Sequence, residues 1–204
     1  MGKEKRERSR TRAQARREEA RRRAARRKAI TTGGLVVAIL GVASLVVLAN
    51  RPGENVPAGE PRGTRSFEVA SRNHVEGVVA YAQTPPAGGD HNAVWQNCGF
   101  YSRPVVNENA VHSMEHGAVW ITYRPDLPAD QVDHIREIAG NESFVLASPF
   151  PGLPSPVVAS AWGRQLTLGN AVDERLEQFV RAFRVGPHTP EPGAPCTGGI
   201  GEPG

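Results

Sequence analysis

Cysteine is scarce in this chain: Cys98 and Cys196 are the two among 204 residues. They form no C-x-x-C pair, which disfavours a thioredoxin-like dithiol. No G-x-S-x-G string is present, so a nucleophile-elbow hydrolase has no anchor. Gly88-Gly89 lacks the lysine and the spacing of a phosphate-cradling loop. Aromatic residues make up 6% of the chain, and Trp95, Trp120 and Trp162 are expected in a core rather than as a ligand platform. No sequence repeat is visible.

A one-sided charge is also missing overall, because the net charge of +4 averages two opposite parts. Residues 1–29 hold 14 Lys/Arg against 4 Asp/Glu, +10. Residues 51–204 hold 11 Lys/Arg against 17 Asp/Glu, −6. The basic stretch suits an anionic membrane surface or nucleic acid, whereas the acidic part argues against nucleic-acid binding by the folded domain. Between them runs ITTGGLVVAILGVASLVVLA, Ile30 to Ala49, 20 residues without a charge. As a helix it spans about 30 Å, one hydrocarbon core. Arg26, Arg27 and Lys28 precede it, so the N-terminal side is expected in the cytoplasm and the acidic part outside. A cleaved signal peptide ending near Val47-Leu48-Ala49 is the rival reading, disfavoured by the long basic region. In an oxidising compartment Cys98 and Cys196 are expected to pair; free or metal-bound thiols are the alternative.

These signals divide the chain into a basic tail (1–29), a transmembrane helix (30–49), a Pro/Gly-rich tether (50–66), a domain (67–185) and a second Pro/Gly-rich segment (186–204) that Cys196 can pin back. Within the domain, Val75 to Tyr81 reads as a strand, and Val94 to Tyr101 is ambiguous. Asn107 is placed to cap a helix running to His116, with Gly117 as its stop. Ala118 to Tyr123 reads as a buried strand. Pro128 opens a helix whose face is Val132, Ile135 and Ile138, closed by Gly140. Phe144 to Ala147 reads as a strand. Val157–Trp162 and Arg164–Leu168 read as a hairpin about Gly163. Asn170 is placed to cap a last helix with the face Val172, Leu176, Phe179, Val180 and Phe183. The mixture lacks a strict βαβ rhythm and predicts an α+β fold: a small mixed sheet with two to three helices, preceded by one transmembrane helix.

The densest chemistry is His112-Ser113-Met114-Glu115-His116. In a helix His112 and His116 share one face. The string fits the H-x-x-E-H pattern of inverted zincins, with Glu115 as the base of a metal-dependent hydrolase, but Gly117 and a strand-like run follow at once. A metal site without hydrolysis is the leading reading, with His74 and His91 completing a set His74, His91, His112 and His116. Imidazole suits copper or zinc, and Met114 favours cuprous copper, although a helix turns it away from the histidine face. Asp90 or Glu108 is placed to orient a ring. The plain alternative is a set of histidines that only hydrogen-bond turns and carboxylates, in a non-catalytic structural or interaction module of the cell envelope.

The string HVEGVVAYAQTPPAGGDHNAVWQNCGFYSRPVVNENAVHSMEHGAVWITYRPDLP, with SPFPGLPSPVVASAWGRQLTL and PEPGAPCTGG, resembles a bacterial family catalogued as domain of unknown function 3105. The resemblance covers about residues 66–200. It implies a pattern carried here by His74, Pro86, Gly89, His91, Trp95, Cys98, Gly99, Tyr101, Asn109, His112, Glu115, His116 and Gly117. It also implies a single-pass anchored or exported protein. The expectation is therefore a domain on the outer side of a bacterial cytoplasmic membrane, in contact with lipid through its anchor and with other envelope proteins. That domain would bind copper or zinc through its histidines.

Overall fold

The apolar run after Gly117 becomes the centre of a sheet. In a computed structural model that describes residues 59–204, six strands and three helices follow in the order β1 (Arg65–Ser66), β2 (Gly99–Phe100), α1 (Asn107–Glu115), β3 (Val119–Tyr123), α2 (Ala129–Asn141), β4 (Val145–Pro149), β5 (Val157–Ala161), β6 (Arg164–Leu168) and α3 (Arg175–Phe183). The basic stretch 1–29, the apolar run 30–49 and the first part of the tether lie outside the described residues. Among the described residues no helix is long and apolar enough to cross a membrane.

The sheet order is β1-β6-β5-β3-β4-β2. β1, β6, β5 and β3 pair antiparallel in turn, whereas β3, β4 and β2 run parallel. Parallel neighbours cannot be joined by a hairpin, so α2 carries the chain from β3 to β4. The mixed sheet and three helices form the expected α+β fold, with two βαβ crossovers inside it, β2-α1-β3 and β3-α2-β4.

Strand alternation sorts the core. Val119, Ile121 and Tyr123 of β3 pack in one cluster with Ile135, Ile138 and Ala139 of α2 and Leu176, Phe179, Val180 and Phe183 of α3. Trp120, between them in sequence, joins Ala110, Val111 and Met114 of α1 and Leu146 of β4 in a second cluster. Successive strand residues face opposite sides, so α2 and α3 cover one face and α1 the other. Every residue of β3, β4 and β5 is buried, as expected of strands covered on both faces. Burying Phe179 fully contributes about 1.5–3 kcal/mol.

Several expectations are corrected. Val75–Tyr81 is not a strand; only His74 pairs, in an isolated bridge with His91. Its β-branched residues find no ladder: Gly77 has φ +88° and Val78 is 95% exposed. The helix starts are each displaced. Val106, Pro128 and Glu174 occupy the positions preceding α1, α2 and α3, without a side-chain cap. Asn170 caps nothing; Asp173 Oδ1 accepts from Arg175 N at 3.0 Å instead, and Val172 is solvent-exposed. Gly140 lies within α2, which ends at Asn141. Arg65 and Ser66, in the stretch read as a tether, pair with Gln165 and Arg164.

Gly117 does end α1. Its φ is +109°, and a Cβ there would lie 2.9 Å from Val185 Cα. Gly117→Ala is expected to lower stability by more than about 1 kcal/mol, because an L side chain is strained at positive φ. Urea denaturation measures this, and an unchanged midpoint would contradict it.

Candidate metal centre

Helix α1 is unusual in being both polar and buried: every residue from Glu108 to Glu115 is buried. Ala110, Val111 and Met114 face the sheet in the second apolar cluster. The opposite stripe, at spacings of four and three, carries Glu108, His112 and Glu115. Buried polar groups need partners, and these come from the loops before α1 and from the C-terminal segment.

His74, His91, His112 and Glu115 come together. Each offers one ligand atom, and the four atoms lie within 4.8 Å of one another. His91 Nδ1 meets Gly89 O at 2.8 Å, and its Nε2 is 2.9 Å from Glu115 Oε2. His112 Nδ1 meets Asn92 O at 2.7 Å. His116 stands outside the four-residue group, its Nε2 2.9 Å from His112 Nε2. Its Nδ1 meets Pro195 O at 2.6 Å, and Glu191 Oε2 is 3.8 Å from Nε2.

The tautomers follow from the partners. A carbonyl oxygen only accepts, so Nδ1 of His91, His112 and His116 carries hydrogen and donates it. In the neutral rings each Nε2 is then a bare lone pair. Two such lone pairs facing at 2.9 Å repel each other and suit a cation between them, as do the His91 Nε2 lone pair and the Glu115 carboxylate. Gly89 makes this possible locally: its φ of +126° suits a residue without a Cβ, and its carbonyl accepts from the ring two residues later.

Burial lowers the His112 pKa from 6.5 to about 4, with the neighbouring His116, His91 and His74 adding to the effect and the Asn92 carbonyl opposing it. An unfolded His112 takes up a proton below its ordinary value, while the folded one resists until about pH 4. Between those values the unfolded state binds more protons, so stability rises with pH there. The metal-free protein is therefore expected to lose stability as pH falls from 6.5 toward 4. Denaturation midpoints across that range test this; His112→Gln flattens the dependence, and an equally steep slope in that variant would contradict the assignment.

The expected orienting carboxylates do something else. Asp90 Oδ1 accepts from Asn73 N at 2.8 Å, and bonds from Asn73 and Ser71 hold its carboxyl below the usual range. Glu108 Oε1 accepts from Val79 N at 2.8 Å. Both tie down the segment before His91, while backbone carbonyls orient the rings. Tyr81 donates to Asp90 O at 2.8 Å; burial first, then Glu108 and Asp90, push its phenol up. Glu115, expected only as a base, is among the converging groups, with Arg72 Nη1 3.9 Å from its other oxygen. Met114 is on the sheet side and does not join.

Trp95 is the site residue that sequence reasoning placed elsewhere. Its ring packs beside His112 and His116, with centroids 5.7 and 5.2 Å away. The Pro195 carbonyl was likewise missed, although the neighbouring Cys196 marks it: Cys98 and Cys196 form a disulfide with Cα atoms 5.4 Å apart.

No curated protein and no solved structure matches the chain. Residues 74–198, which hold His74, His91, His112, Glu115 and His116, match the family described as Protein of unknown function (DUF3105), and the chain belongs to that family.

Proposed function

We propose that this protein binds one transition-metal ion, zinc or divalent copper, on the outer side of a bacterial cytoplasmic membrane. The observation that carries the reading is the set of buried imidazoles whose Nδ1–H groups are each given to a backbone carbonyl. This is how metal-ligating histidines are usually oriented, and it leaves Nε2 for an ion. His74, His91, His112 and Glu115 form a nitrogen-rich set with one carboxylate, suited to zinc or copper(II). With Met114 turned to the sheet, the preference for cuprous copper loses its support. His116 is the neighbour that completes or tunes the set through His112.

Glu115 Oε2 lies 2.9 Å from His91 Nε2 among the ligand atoms, which suits a ligand better than the free base a hydrolase needs. The location rests on the sequence pattern: the uncharged run 30–49, the basic residues before it and the paired cysteines. In this reading the partners are membrane lipid at the anchor and other envelope proteins, with no nucleic acid at the folded domain.

Ligand binding to the folded state alone stabilises by about 2.7 kcal/mol at a hundredfold excess over Kd. Thermal melts of the full chain are expected to shift upward with zinc or copper, and the His112→Ala/His116→Ala variant to lose that shift. A melting temperature indifferent to both metals would favour a purely structural role for the histidines.

A further inference from the structure

The four converging donors are not alike. His91 is fully buried and His112 and Glu115 nearly so, and the two imidazoles are fixed by carbonyls. His74 belongs to a segment without helix or strand, and its side chain is 52% exposed. Its ring stacks on His112, centroids 4.9 Å apart and 19° between planes. It approaches Glu115 only to 3.9 Å, beyond hydrogen-bond reach.

The backbone at this point is nonetheless held. Val75 N donates to His91 O at 2.8 Å, and His91 N donates to Asn73 O at 3.0 Å. The main chain stays in place, while the half-exposed ring is held by packing on His112 and His91 rather than by a hydrogen bond. Arg72, two residues earlier and 59% exposed, stands on the same rim beside Glu115, and its cation favours an approaching anion.

We propose that the centre holds its ion for exchange, with His74 as a displaceable cap over three fixed donors. Resting on the metal reading above, this makes the protein one that hands on its ion to an anionic acceptor bearing carboxylate, thiolate or imidazole donors. The incoming donor forms its bond to the ion as the His74 bond breaks, and the oxidation state of the metal does not change. A site enclosed on all sides releases its ion only by opening spontaneously. An exposed cap lets the acceptor attack the bound ion directly.

The two routes differ in kinetics. The full chain is loaded with zinc and mixed with excess of the anionic chromogenic chelator 4-(2-pyridylazo)resorcinol, and zinc transfer is followed by absorbance. The expected rate rises in proportion to chelator concentration. His74→Ala is expected to bind zinc more weakly and, at fixed chelator, to transfer it severalfold faster, because the incoming donor has no His74 bond to displace; a variant unable to load zinc overturns the cap role. A rate independent of chelator concentration overturns the proposal, as does a His74→Ala rate equal to that of the parent. A chain that takes up no zinc overturns the metal reading as well, so the two failures are told apart.

Discussion

Replacing His91 with alanine is expected to raise the Kd for zinc or copper by at least about a hundredfold, beyond the tenfold to hundredfold typical of groups that merely orient a ligand. His91 is the most enclosed donor, at 0% exposure. Its ring is fixed at Nδ1 by Gly89 O, and its Nε2 faces Glu115 Oε2 at 2.9 Å. Its loss removes a ligand and also releases Glu115, whose next contacts, Arg72 and His74, are both 3.9 Å away. Competitive titration against a chelator of known affinity measures the change. Asp90→Ala is the control: Asp90 binds Asn73 rather than a ring, so its removal is expected to weaken binding by less than about tenfold. Equal losses in the two variants would mean that His91 acts only through the loop it sits in. Circular dichroism of both variants keeps the comparison to folded protein.

The donors differ in how far they were legible. His112, Glu115 and His116 are close in sequence, and helical spacing alone places them on one side of α1. His91 was reachable because it follows Gly88-Gly89-Asp90 in a loop, where function concentrates. The strand expected over Val75–Tyr81 failed because residue type says nothing about whether a neighbouring edge is free to pair. His74 nevertheless arrives at the site, through a single bridge to His91. The helix starts were misplaced because a cap residue raises the odds of a start without excluding the positions beside it. The contacts of His116 with Pro195 and Glu191 lie about 75–80 residues away in the chain, and local patterns carry no such signal. Only Cys196 pointed there.

That disulfide carries the second large effect. The Cys98–Cys196 bridge spans a sequence separation of 98. Restricting an unfolded loop of that length contributes about 4–5 kcal/mol in the chain-entropy account, much of the 5–15 kcal/mol that typically holds a domain together. Cys98→Ser/Cys196→Ser is therefore expected to lower the melting temperature by roughly 10–20 °C. The effect should reach the metal centre as well. Next to Cys196, Pro195 O fixes His116, and Gly193 N and Glu191 N donate to His116 O and Glu115 O, both at 3.0 Å. Beyond the bridge, Asn97 N donates to Ile200 O at 2.8 Å and Ile200 N to Trp95 O at 3.0 Å. A loss of less than about 1 kcal/mol would show that these hydrogen bonds, rather than the covalent link, keep the segment in place.

The most direct test of the account is the metal content of the purified full chain, measured by mass spectrometry after incubation with zinc and copper and removal of excess, beside the His112→Ala/His116→Ala variant. The account predicts one ion per parent chain and a nearly metal-free variant. A parent chain that emerges without metal, or a folded variant that retains the same amount, would contradict it.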